Sequence, residues 1–134
     1  MCKIGDIILV RNYISQGTDL RNHSFIVLST EKGKIEGLNY DMVCNVMSSF
    51  HDESHKRRKL SYPGNIPITS SDSRIEFGHE TRDGYVKAEQ LYFFDKSKLD
   101  FDIIGNVTEE IMKIIKQFIE AHPELLEAII DNIK

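Results

Sequence analysis

Cysteine is scarce in this 134-residue chain: Cys2 and Cys44 are its two cysteines. That excludes a disulfide scaffold, which needs a denser framework. Neither has nearby Cys/His spacing, which argues against a structural zinc site. Long apolar runs are also missing, and none approaches the roughly 18 residues of a membrane span. The opening Met1-Cys2-Lys3-Ile4-Gly5-Asp6 lacks the shape of a signal peptide, because a glycine and an acidic residue arrive at once. Strong net charge is absent too: 17 basic and 21 acidic residues give -4. Three lysines and six carboxylates beyond residue 107 carry most of that excess. The nearly neutral body neither predicts nor excludes a nucleic-acid partner. No repeat or low-complexity segment appears. The expectation is one cytoplasmic domain with a real core, free thiols, no cofactor and no membrane partner.

What is there centres on Arg21-Asn22-His23-Ser24-Phe25-Ile26-Val27-Leu28-Ser29. Phe25–Leu28 is a short apolar run with β-branched and aromatic members, which fits a buried strand better than a helix. A polar loop, from Asn12 to about Asn22, delivers Arg21 and His23 to the start of that strand, where a scaffold positions reactive groups well. Ile7–Val10 reads as the first strand. Glu31-Lys32-Gly33-Lys34 reads as a turn, and Lys34–Leu38 alternates as a half-buried hairpin strand does. Met42–Met47 is another strand, ending in Ser48-Ser49. A polar connection from His51 to Lys59 follows. Ile66–Thr69 is extended, and Pro67 places it at a sheet edge. Residues 70–84 read as loop, and Tyr85–Lys87 and Leu91–Phe94 as the last strands. Six or seven short strands suit a small barrel or sandwich.

The C-terminus changes period. Ile111, Ile114, Ile115, Phe118 and Ile119 recur at helical spacings, with Thr108 as N-cap and Glu109 and Glu110 at the positive end. Pro123 stops that helix and can open another. Leu125, Leu126, Ile129, Ile130 and Ile133 give the second an apolar stripe too broad for one small barrel. The expected architecture is mainly β with C-terminal helices: a small barrel over about 4–107, then helices at about 108–121 and 124–133. The last helix is a candidate dimer or partner surface.

This order of elements resembles the MazF/PemK (Kid) toxin family over about residues 4–120. Gly5-Asp6-Ile7-Ile8-Leu9-Val10 resembles the family's opening strand, and His23-Ser24-Phe25-Ile26-Val27-Leu28-Ser29 its Arg-Pro-x-Leu-Val-(Ile/Leu)-Ser strand. Val46-Met47-Ser48-Ser49 falls where the family has a Thr or Ser at a strand end. The Arg82–Leu91 segment, followed by Asp95–Leu99, resembles its later strand and turn. The resemblance implies an SH3-like small β-barrel of the MazF, PemK and CcdB kind. It also implies metal-free cutting of single-stranded RNA, a homodimer, and an antitoxin protein as partner. Of the family's two catalytic groups, the hydroxyl carries over as Ser48. The arginine position holds His23, and Arg21 lies two residues upstream.

The chemistry agrees with that set. Metal-free RNA cleavage needs a base for the ribose 2′-OH, an acid for the leaving oxygen and a cation for phosphorane charge. Histidine exchanges protons near neutral pH, and arginine supplies permanent charge and a fork for phosphate. His23, Ser48 and Arg21 are therefore the candidate catalytic residues. Lys56, Arg57, Arg58 and Lys59 are candidates for tracking an RNA backbone, with Tyr62 or Phe50 stacking a base; a solvated charge run is the plain alternative. His51 and His55, four apart, are weak metal spacing and read as surface histidines. His79 and Glu80 could assist proton transfer, Asp72 and Glu76 have no pairing logic, and Cys44 reads as an inert buried thiol. A member of the same fold that only binds RNA or protein is the other functional class open to this chain.

Overall fold

The computed structural model describes residues 2–15, 18–75 and 83–134, and the side chains of these apart from Ser15, residues 18–21 and Ile75. Strand β1 (Asp6–Ser15) turns back into β2 (Thr18–Ser29). The two pair antiparallel from Ile7–Ile26 out to Ser15–Thr18. The expected loop from Asn12 to Asn22 is thus mostly ribbon. Backbone pairing holds a polar ribbon without apolar alternation. A bulge between Val10 and Tyr13, where Asn12 takes φ 53°, breaks the alternation further. His23 consequently sits inside a strand, not at its start.

The predicted alternating segment is a whole hairpin: β3 (Gly33–Ile35) and β4 (Leu38–Tyr40) flank Glu36 and Gly37, both with positive φ. Two-residue hairpin turns demand such angles. Strand β5 (Met42–Ser49) runs into helix α1 (Glu53–Leu60), so the polar connection is helical from Glu53 onward. Strands β6 (Asn65–Ile68), β7 (Ser73–Ile75), β8 (Gly84–Lys87), β9 (Gln90–Phe94) and β10 (Phe101–Val107) follow. Helix α2 (Glu109–Ala121) begins as expected, with Thr108 Oγ1 accepting from the Ile111 N–H at 3.4 Å.

The second C-terminal helix does not form. Pro123–Leu125 is a 3-10 turn, Glu127–Ile129 is a strand, β11, and Asp131–Ile133 is another 3-10 turn. β11 adds parallel to β9, pairing Ile129 with Tyr92. An isolated helix that short is marginal, whereas the open edge of β9 supplies hydrogen bonds and a core for Ile129 and Ile133, both 4% exposed. Strands β7 and β10 also lie outside the expected set.

The hydrogen-bonded order is β11-β9-β5-β2-β1-β10-β7, with β8 joining β5 to β6. Among the described residues this path has two open ends and does not close into a barrel. Pro67 lies on β6, which pairs only with β8 there, as an edge proline should. Strand alternation sends Ile7 and Ile26 to a cluster beneath α2, with Ile104, Val86 and Ile115. Ile8, Val10, Phe25 and Val27 go to a second cluster with Phe94 and Ile129. Both faces of the central strands are therefore covered, which explains their unbroken apolar runs. Among the described residues no helix is long and apolar enough to cross a membrane.

Candidate functional site

β5 changes partner halfway along. Its first residues pair with β9, as in Cys44–Tyr92, and its last with β8, as in Ser48–Tyr85. Asn45, fully buried between them, donates from Nδ2 to the Gln90 carbonyl at 2.8 Å and pins the link between β8 and β9. On the opposite edge, β5 pairs with β2 only as far as Phe25–Val46. Beyond that pair the two strands line a groove. Asn22, His23 and Ser24 form one wall, and Met47, Ser48 and Ser49 the other.

That groove has a volume of about 580 Å³. Its floor is apolar, from Ile7, Leu9, Met47 and Ile68. Its far side comes from the turn before β7. There Asp72 Oδ2 accepts from both the amide and the hydroxyl of Thr69, at 2.9 Å each, and so presents Thr69, Ser70, Ser73 and Arg74 to the groove. Gly84 completes it. A Cβ at Gly84 would collide with the Ser48 carbonyl, so this strand position holds glycine because two backbones touch there.

The structure thus brings His23 and Ser48 to one cavity. Both are half-buried, and the His23 ring lies edge-on to Phe25 at 6.1 Å. The backbone of Arg21 pairs with Tyr13, while its side chain lies outside the described residues. His79, Glu80 and Glu76 lie outside them as well. Arg74 is the residue that sequence reasoning missed. It is exposed, lines the groove, and among the described residues forms no ion pair. It stands in a three-residue strand within a stretch of turn composition, so no periodicity marked it.

The chemistry of the lining is one-sided. The described groove residues include one arginine, one histidine, one asparagine and six hydroxyls, and no carboxylate. Such a surface offers donors and positive charge to an anion such as a phosphodiester, while the carboxylates of Asp72 and Asp83 are held by Thr69 and Ser70 behind it.

The four basic residues ride on α1 and divide. Lys56 Nζ lies 5.7 Å from the centre of the Phe50 ring. Phe50 in turn stacks on Tyr85, centroids 5.2 Å apart, directly beside Ser48 in the sheet. Arg57 and Arg58 are exposed, and Lys59 lines a different groove. None of the four lines the groove of Ser48. Phe50 is 9% exposed and packed on both sides, so it is no base-stacking platform, whereas Tyr62 is 56% exposed. His51 and His55 face each other with ring centroids 4.4 Å apart, and the His51 amide donates to His55 Nδ1 at 3.1 Å. Burial, His51, Arg58 and Lys59 together hold the His55 pKa below its ordinary value. Among the described residues no three His, Cys, Asp or Glu side chains cluster as metal ligands do. Cys44 is fully buried, and burial pushes its thiol well up, as an inert core cysteine requires.

No protein-family model matches this chain, and no curated protein does either.

Proposed function

We propose that this chain is a toxin-like endoribonuclease that cuts single-stranded RNA without metal, on an opened relative of the SH3-like barrel. One observation carries the reading: His23, Ser48 and Arg74 line one groove, whose described lining residues include no carboxylate. In the proposed reaction His23 takes the proton of the 2′-hydroxyl, and the 2′-oxygen bonds to phosphorus. The 5′-oxygen leaves and takes a proton from water in the open groove. The products are a 2′,3′-cyclic phosphate and a 5′-hydroxyl. Ser48 donates to a non-bridging oxygen. Arg74 balances phosphorane charge, the part that the sequence reading gives to Arg21. An antitoxin protein covering the groove and a homodimer belong to the same reading.

A second reading, a non-catalytic module that binds RNA or protein, draws support from the His23 ring packed against Phe25. Purified protein incubated with a long single-stranded RNA in EDTA near pH 6.5 separates the two. The nuclease reading expects cyclic-phosphate ends. It also expects losses of about 10²–10⁴-fold in His23→Ala, with comparably severe losses in Ser48→Ala and Arg74→Ala. No cleavage by folded protein supports the binding module, and its expression would then leave cell growth unaffected.

A further inference from the structure

The chain's two cysteines lie far apart in sequence, yet they meet at one core cluster. Cys44 is fully buried in the cluster of Phe25 and Phe94, and Cys2, half-buried in the segment that leads into β1, packs against it. Met42 belongs to the same cluster and is fully buried too. Met42 and Cys44 stand two apart on β5, so their side chains share one face, with backbones roughly 7 Å apart along the strand. Cys2 closes the set: its Sγ lies 3.7 Å from Met42 Sδ, with the thiol donating to the thioether. Burial pushes the Cys44 thiol well up, and the nearness of Cys2 adds to that push. Three sulfurs thus converge at the start of β5, and Ser48 stands near its other end.

Packing alone would accept any apolar trio here. Sulfur differs from carbon in being a soft, polarizable donor. Zinc centres are built from four thiolate, imidazole or carboxylate donors. Among the described residues no His, Asp or Glu joins the two cysteines as a third such ligand. A set of thiolates and a thioether instead selects Cu(I). The spacing suits it: two sulfurs each about 2.3 Å from one ion, at tetrahedral to trigonal angles, lie about 3.8–4.0 Å apart. The Cys2–Met42 separation needs only a small opening to reach that, and the unbranched methionine can supply it.

The exchange balances. The Cys2 S–H points at Met42 Sδ, so the cation takes the place of that proton. The Cys44 S–H gives way to a second S–Cu bond, because a coordinating thiol loses its proton outright. Both protons leave to solvent, and no atom changes oxidation state. Two thiolates and one monovalent cation leave a single negative charge. It lies toward Cys2, whose partial exposure also gives the ion its way in.

We infer that Cys2, Met42 and Cys44 form a Cu(I) site that ties the segment before β1 to the start of β5. The site stands apart from the groove of Ser48 and does not depend on the RNA-cleaving reading.

The test is metal binding by the reduced full-length protein. Cu(I) is supplied without oxygen, under ascorbate, in competition with the coloured chelator bicinchoninate. The expected result is one Cu(I) taken up per chain, with a shift of the Met42 methyl NMR signal and none at Met47 or Met112. Cys2→Ser, at a half-buried position, should lose that uptake. Met42→Leu, which conserves volume, should weaken it while both thiols remain. Zn(II) should not compete. No uptake by the folded protein overturns the inference. So does uptake that survives Cys2→Ser, which would place the copper elsewhere, as on the paired rings of His51 and His55. Half a copper per chain, unchanged by Met42→Leu, would mean Cys2 thiols bridging two copies and would overturn it as well.

Discussion

At the scale of single residues, His55 shows how a helix start is tuned by proton binding. Asp52 caps α1 by accepting from the His55 amide at 2.7 Å. The His55 ring meanwhile accepts from the His51 amide through Nδ1, which only an unprotonated nitrogen can do. Burial first, then His51, Arg58 and Lys59, disfavour the charged ring, and Asp52 only partly opposes them. The folded pKa is therefore lowered while the unfolded one is ordinary. Above the ordinary value both states are neutral and pH has no effect through this group. As pH falls below about 6.5, the unfolded chain binds the proton first and stability drops until the folded pKa is passed. NMR titration should show His55 titrating at lower pH than a free histidine, with the His51 amide shifting in step. A His55 that titrates at or above the ordinary value would contradict this account. Legibility at this scale was uneven. Ser48 could be placed because it ends an apolar strand, and His23 because it stands just before the apolar run Phe25–Leu28 within β2. Arg74 reaches the groove only through a turn built by Asp72, and nothing local to its sequence encodes that turn's position in space.

At the scale of elements, legibility tracked how far the partners lie apart in sequence. Helix α2 was readable because its cap, its acidic start and its apolar face are all local. The hairpin β3/β4 was half readable, since Gly33 and Gly37 punctuate it. The C-terminal strap was misread. Ile129 and Ile133 have helical spacing, but the decisive partner is the edge of β9, about 37 residues upstream. There the Asn132 side chain accepts from the Asp95 amide at 2.8 Å, and the Tyr13 hydroxyl donates to Asp131 Oδ2 at 3.1 Å. Tyr13 also packs edge-on against Phe25 and Phe94, so the strap closes over the aromatic centre of the second cluster. Ile129→Ala should cost about 2–5 kcal/mol of unfolding free energy in a urea melt. Tyr13→Phe should cost about 1.5–3 kcal/mol, because it removes a hydrogen bond to a carboxylate. A strap that merely lies on the surface would give values near zero for both.

At the scale of the whole molecule, charge is arranged against the net balance. The chain carries -4 overall, with the excess of carboxylates gathered beyond residue 107. Yet α1 holds four consecutive cations, and among the described residues none of them is in an ion pair. Lys56 sits over Phe50, two residues past Ser48, and Lys59 lines the groove beside Tyr62. Arg57 and Arg58 are exposed between them. A strand of RNA running from one groove to the other would pass these arginines. Its phosphates would release condensed counterions, giving a log–log salt slope of roughly -0.7 per phosphate contact on a single strand. Replacing Arg57 and Arg58 together by Gln should therefore weaken RNA binding at low salt. It should also flatten the slope by about 1.4, if each arginine holds one phosphate. Cleavage at saturating RNA should be unchanged, since neither residue lines the groove of Ser48. Binding measured by fluorescence anisotropy across a salt series gives the slope directly. An unaltered slope would mean that the basic face of α1 is only a solvated surface and that RNA crosses the molecule by another route.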